Sequence, residues 1–345
     1  MNQPLQPRAR TTDRREADRL EADAAEFRAA FARLVEQCQR RIVGQAEVVR
    51  GVLVALFADG HVLLEGSPGL GKTLLVHSVA QAVGAEFKRV QCTPDLMPAD
   101  VVGTRVLAED ADGRRVFAFE PGPVFAAVLL ADELNRATPK TQSALLEAMQ
   151  ERAVTVAGER RPLPPEFFVL ATQNPIDMEG TYPLPEAQLD RFLLKLHVGS
   201  PELEHLRRIA RETTGAAPAP VEQVLSGEDV LRFRALACEV PLAPRAEALA
   251  AGLVYASHPE RDEAPARVRR CVRFGASPRG VQALVRAARV EALVDGRFVV
   301  APEDVRAWAL PALRHRLILN VEAELEGLSA DDVVEELLAS VPDEE

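Results

Sequence analysis

Lysine occurs only at positions 72, 88, 140 and 195, and almost all basic charge is carried by arginine. A lysine inside a glycine-rich loop is therefore no accident of a lysine-rich background. Aromatic residues make up 5% of the chain. Together with abundant alanine, that scarcity points to helices as the bulk material and leaves no obvious platform for stacking bases. No apolar stretch approaches the roughly 20 residues needed to cross a bilayer. The charged N-terminus also lacks the apolar segment of a signal peptide, so no membrane insertion and a cytoplasmic location are expected. The cysteines, Cys38, Cys92, Cys238 and Cys271, are scattered without a C-x-x-C pair or a nearby histidine cluster. Neither a zinc site nor a disulfide framework is indicated, and all four read as reduced core residues. A net charge of -11 lacks the positive footprint that nucleic acid demands, so nucleic acid is not an expected partner, although a local basic patch remains compatible with it.

What is present begins with Gly66-Ser67-Pro68-Gly69-Leu70-Gly71-Lys72-Thr73, which fits the phosphate-binding pattern G-x-x-x-x-G-K-[ST]. It follows an apolar strand candidate, Val62 to Glu65, and opens an amphipathic run from Leu74 to Val83. Its glycines let the backbone turn tightly enough to aim N–H groups inward, the following helix adds its positive end, and Lys72 supplies a mobile charge. The ligand class is a di- or triphosphate. Thr73 offers a hydroxyl where Mg2+ would sit between the β- and γ-phosphates of ATP.

A chain of 345 residues is long for one core and predicts about two domains. Residues 1–22 are polar and Arg-rich and read as a disordered tail, with helices at Ala24 to Arg40 and Ala46 to Phe57. Short strands are predicted at Glu86 to Gln91, Ala126 to Ala131, Phe167 to Ala171 and Phe192 to His197, with a helix from Pro139 to Gln150. Two hairpins interrupt the alternation. One pairs Gly103 to Ala108 with Arg115 to Glu120 around Asp110-Ala111-Asp112-Gly113, and the other pairs Ala153 to Ala157 with Arg161 to Leu163. Repeated β-α-β order predicts an α/β fold, a parallel sheet sandwiched by helices, spanning residues 23–199. From Pro201 strand signals nearly vanish, predicting an all-α domain over 200–340 and an acidic tail over 341–345.

Ligands gather at the carboxyl ends of parallel strands, and the loop, Asp132-Glu133 and Asn174 all fall at such ends. A carboxylate at Asp132 can hold the waters around Mg2+, and Glu133 can orient or deprotonate the attacking water. A solvated acidic turn is the plain reading of that pair taken alone. Asn174 can donate to the γ-phosphate, or simply form the turn before Pro175. Arg191 supplies the planar charge that a developing phosphoryl group needs, or pairs structurally with Asp190 or another acid. Arg279 stands at a helix N-terminus, where a cation is unfavourable unless an anion is near, which makes it a candidate for reaching the nucleotide, with a surface arginine as the rival reading. The histidines and Trp308 read as surface or core residues.

Gly66 to Thr73, Asp132 to Ala137 (DELNRA) and Ala171 to Phe192 (ATQNPIDMEGTYPLPEAQLDRF) together resemble the MoxR family of AAA+ ATPases. Thr93 to Pro98 (TPDLMP) and Lys140 to Glu151 (KTQSALLEAMQE) strengthen the resemblance, which runs from about Ala30 to Leu317. It implies a P-loop NTPase core followed by a helical lid, with Walker A at Gly66 to Thr73 and Walker B at Asp132 and Glu133. It further implies sensor 1 at Asn174, an arginine finger at Arg191, sensor 2 at Arg279, and Val43-Gly44-Gln45 near the adenine. Related clades differ in whether the sensor 2 arginine serves its own subunit or a neighbour. Leu134 in place of Ile, and Asp177-Met178 in place of Glu-Gln, are departures remote from phosphate chemistry. The family implies a ring-forming homo-oligomer, a hexamer, that hydrolyses ATP with Mg2+ and remodels a protein client carrying a von Willebrand factor A domain. A nucleic-acid motor and a low-turnover ATP-binding scaffold are the rival functions.

Overall fold

The computed structural model describes residues 10–109, 113–174, 181–213 and 220–342. The first helix, α1 (Arg10–Gln39), begins well before the expected Ala24, so residues 10–22 belong to a helix rather than to a tail. Polar composition hid it there, whereas its later turns carry the apolar stripe Phe27, Phe31 and Leu34 that reaches the core. Next come α2 (Ala46–Phe57), β1 (Val62–Glu65), α3 (Lys72–Ala82), β2 (Phe87–Gln91) and α4 (Pro98–Val102). The first hairpin is β3 (Gly103–Glu109) with β4 (Arg115–Pro121), paired antiparallel; the expected turn residues 110–112 lie outside the described residues. After β5 (Val128–Asp132) and α5 (Pro139–Glu151), the second hairpin pairs β6 (Ala153–Val156) with β7 (Glu159–Pro162). The core ends with β8 (Phe168–Gln173), the short α6 (Glu186–Leu189) and β9 (Leu194–His197).

The main sheet has the order β2-β5-β8-β1-β9 with every pairing parallel. β5 is buried at all five positions, as a strand covered on both faces must be. One face, carrying Leu63, Leu129 and Val169, packs with Leu134, Leu146 and Phe192. The other, carrying Leu64, Leu130 and Leu170, joins a cluster that continues through α1, α2 and α3 into the second domain.

That domain contains α7 (Leu203–Thr213), α8 (Gly227–Glu239), α9 (Pro244–Ala256), α10 (Ala266–Cys271), β10 (Val272–Phe274), α11 (Pro278–Val294), α12 (Pro302–Leu313), β11 (Ile318–Leu319), α13 (Val321–Leu325) and α14 (Ala330–Ser340). It is helical apart from the small antiparallel pair β10–β11. Ser277 caps α11 through its own Oγ, as Ser before Pro predicts. Trp308 is buried, and its indole N–H donates to Glu291. Three of the cysteines are buried, but Cys238 is exposed, against the expectation that all four are core residues; it lies in the last turn of α8, outside the buried set Val230, Phe233, Arg234, Leu236 and Ala237. Among the described residues, no helix is long and apolar enough to cross a membrane.

Candidate functional site

The loop between β1 and α3 has the backbone its glycines allow. Gly69 and Gly71 adopt φ of 82° and 78°, a region closed to most side chains, and Gly71 caps α3. At Gly66 the constraint is space, since a Cβ there would lie 2.5 Å from the carbonyl oxygen of Val198. The loop is thereby pressed against the end of β9. Lys72 Nζ donates to Gly66 O at 2.6 Å and Ser67 O at 2.8 Å. Burial lowers the lysine pKa, while Asp132 and Glu133 act to raise it.

Pro68 to Leu74, Arg89, Gln91, Asp132, Glu133, Thr172 and Asn174 line one cleft of about 390 Å3. It joins the loop, the ends of three strands and the first turn of α3, as the parallel order requires. Asp132 is buried, its Oδ1 accepting from Thr172 Oγ1 at 2.6 Å and its Oδ2 from Arg89 Nη2 at 2.7 Å. Glu133 adopts a left-handed φ of 57°, unusual for a residue with a side chain. Its N–H donates to Thr172 Oγ1 at 2.7 Å, and its Oε2 accepts from Arg136 Nη1 at 2.8 Å and Gln91 Nε2 at 3.1 Å. One hydroxyl thus orients both acidic residues. Thr172, Arg89 and Gln91 escaped the sequence reading. The available signal was polarity at the ends of apolar strands, where Thr172 is 1% exposed.

Other residues fall outside this cleft. Val43, Gly44 and Gln45 are absent from its lining: Gln45 Nε2 donates to Gly199 O at 3.0 Å, and Gly44 packs on His205. Gln45 thus bonds the residue next to Val198, which meets Gly66 of the loop. Arg191 lines a separate cavity of about 270 Å3 with Arg152, Arg279, Arg286 and Arg316. Its Nη1 donates to Leu146 O at 2.6 Å, while its Nε is buried without a partner among the described residues. The pairing with Asp190 is made by other arginines, Arg316 and Arg279. Arg279 therefore finds its anion in Asp190 rather than beside the loop of its own chain.

Residues 61–194 match the model of the ATPase family associated with various cellular activities (AAA), and residues 264–337 match that of the AAA lid domain. The chain is 45% identical over 309 residues to Chaperone MoxR1 of Mycobacterium tuberculosis, covering 90% of this chain and 81% of that one. The chain belongs to the MoxR family of AAA+ ATPases. Protein MoxR of Methylorubrum extorquens is 35% identical, with 92% and 96% covered. A solved protein of Cytophaga hutchinsonii, provisionally described as an ATPase, superposes with a TM-score of 0.88 at 38% identity, over 95% of this chain and 98% of that one. The MoxR chaperone family and the core-plus-lid architecture are thus those the motifs implied.

Proposed function

We propose that this MoxR protein hydrolyses ATP at a site shared between adjacent copies in a ring, a hexamer, and uses turnover to remodel a protein client. The observation that carries this reading is a division of labour. Lys72, Thr73, Asp132, Glu133 and Asn174 line one cleft, whereas Arg191 and Arg279 line another. An arginine held apart from its own loop is of use to a nucleotide bound by a neighbour, and a head-to-tail interface repeats that relation around a ring.

ATP is the substrate in this reading. The loop N–H groups and Lys72 bind its phosphates, Val43, Gly44 and Gln45 lie on the adenine side, and Asn174 orients the attacking water with Glu133. Thr73 and Asp132 provide the oxygen donors that suit Mg2+, a hydroxyl and a carboxylate in one cleft, and the ion, when bound, neutralises phosphate charge. Arg191 and Arg279 of the neighbour stabilise the charge that develops on transfer. The client is a protein with a von Willebrand factor A domain, met in the cytoplasm. Support comes from the family and from a net charge of -11, which disfavours a nucleic-acid track.

Mixing two inactive variants tests the shared site. Glu133→Gln is expected to bind ATP but turn it over slowly, and Arg191→Ala to keep nucleotide affinity while losing about three to five orders of magnitude in turnover. In a mixed ring, an Arg191→Ala subunit beside a Glu133→Gln subunit regains a complete site. Turnover should therefore recover on mixing to a sizeable fraction of wild type. No recovery, or full activity of Arg191→Ala alone, would refute the shared site.

A further inference from the structure

The segment Asp190 to Leu193, which carries Arg191 into β9, is held by the lid at the Asp190 carboxylate and at the carbonyls of Asp190, Phe192 and Leu193. Asp190 Oδ1 accepts from Arg316 Nε at 2.9 Å and Oδ2 from Ser277 Oγ at 2.8 Å. Arg279 Nη1 lies 3.7 Å from the same Oδ2. Arg316 also donates to the carbonyls of Phe192 at 2.7 Å and Leu193 at 3.2 Å, and His315 Nε2 to that of Phe192 at 3.0 Å. Arg316 is buried to a side-chain exposure of 3%, so its charge has little solvent to fall back on and depends on Asp190. Ser277 links the carboxylate to the start of α11, since its Oγ also accepts from Arg279 N at 3.1 Å. A carboxylate at this helix N-terminus offsets the unfavourable placement of Arg279 there.

We propose that Asp190 is a positioning residue: its carboxylate fixes the first turn of the lid helix α11 to the ATPase core and so holds Arg279 beside Arg191 at one cavity. The proposal rests on the reading that these two arginines serve a neighbour's nucleotide. Asp190 touches no reacting atom in this role and acts through Arg279. Lid and finger then move as one body, and displacement of the lid in one copy withdraws charge from the site of the next.

Turnover and ATP affinity are measured for the assembled full chain carrying Asp190→Asn, Arg279→Ala, or both. Asp190→Asn is expected to lower kcat roughly 10- to 100-fold, the scale of a misplaced catalytic group, with ATP binding changed by less than about twofold because the loop is untouched. In the Arg279→Ala background, the same substitution should cost under about twofold, since the residue it positions is gone. If Asp190→Asn does not fold, Ser277→Ala is read in its place, with a loss of roughly threefold expected from the missing hydrogen bond to Asp190. Full additivity of Asp190→Asn with Arg279→Ala, or wild-type kcat in Asp190→Asn and Ser277→Ala while Arg279→Ala is slow, overturns the proposal alone. Wild-type turnover in Arg191→Ala and Arg279→Ala removes the underlying reading as well.

Discussion

Replacing Thr172 by valine isolates the hydroxyl between the two acidic residues of the nucleotide cleft. Valine keeps the branched shape of threonine and its fit to strand β8, so the packing against the neighbouring strands is retained. Lost are a 2.6 Å bond to Asp132 Oδ1 and a 2.7 Å bond from Glu133 N. The first is to a carboxylate and the second serves a backbone N–H in a left-handed residue, so both partners are left wanting. Bonds to charged groups contribute about 1.5–3 kcal/mol and an abandoned buried donor costs about 1–3 kcal/mol. Water entering the cleft recovers part of this, which puts the expected loss of folding stability near 2 kcal/mol. The same release frees Glu133 to leave its constrained backbone geometry, and an error of about 1 Å in a catalytic group costs on the order of 100-fold.

The expected phenotype of Thr172→Val is therefore a fall of about 10- to 100-fold in ATP turnover. ATP affinity should stay close to wild type, because the loop and Lys72 do not touch this hydroxyl. Denaturant unfolding measures the stability change, and steady-state turnover with a fluorescent-nucleotide titration separates rate from binding. Thr172→Ser restores the hydroxyl and should recover most of the turnover. Wild-type turnover in Thr172→Val, or a serine variant as slow as the valine variant, would show that the hydroxyl does not order this site.

His61 provides a pH prediction. Burial lowers its pKa to about 3, helped by Arg152, and its Nδ1 accepts from Val169 N at 3.0 Å while Nε2 donates to Met149 O at 3.3 Å. The folded site refuses a proton that the unfolded chain accepts below about pH 6.5, so stability is complete above that pH and falls by roughly 1 kcal/mol per unit as pH drops toward 3. Unfolding midpoints across this window should fall more steeply for wild type than for His61→Gln; parallel slopes would sink the idea. At Gly66, alanine would place a Cβ 2.5 Å from Val198 O and 2.9 Å from Val198 Cβ. Because the obstacle includes backbone, the loop must shift, and Gly66→Ala should weaken ATP binding by at least about tenfold with the fold intact by circular dichroism. Unchanged affinity would show the contact to be soft.

The phosphate loop and the strand ends were legible because each is a local pattern: the loop motif with its flanking strand and helix, and the apolar run that stops at Asp132. The rest of the cleft was hidden because its members come from neighbouring strands and meet only through sheet register. Gln91 pairs with Asp132 across β2 and β5, and that pairing brings Gln91 Nε2 to Glu133. No spacing in the chain announces it. Arg89 resembles any exposed strand residue until β2 is placed beside β5. The early turns of α1 were missed for a different reason, since a polar helix without an apolar stripe has the composition of a tail.

Asp190 shows how far a correct local argument can reach before topology decides its outcome. A cation at the start of α11 requires an anion nearby, and that much follows from the helix dipole. For Arg279 the sequence left two readings open, a reach to the nucleotide and a plain surface arginine, and gave no means to choose. In the fold the carboxylate of Asp190 takes the position, and it is also the partner of buried Arg316. The carboxylate thus does more than satisfy Arg279, since it ties the arginine to the backbone that carries Arg191. Two arginines from separate domains line one cavity, and the loop of their own chain lines another. In the proposed ring, a nucleotide meets both sets of residues when a second copy presents its cleft to that cavity.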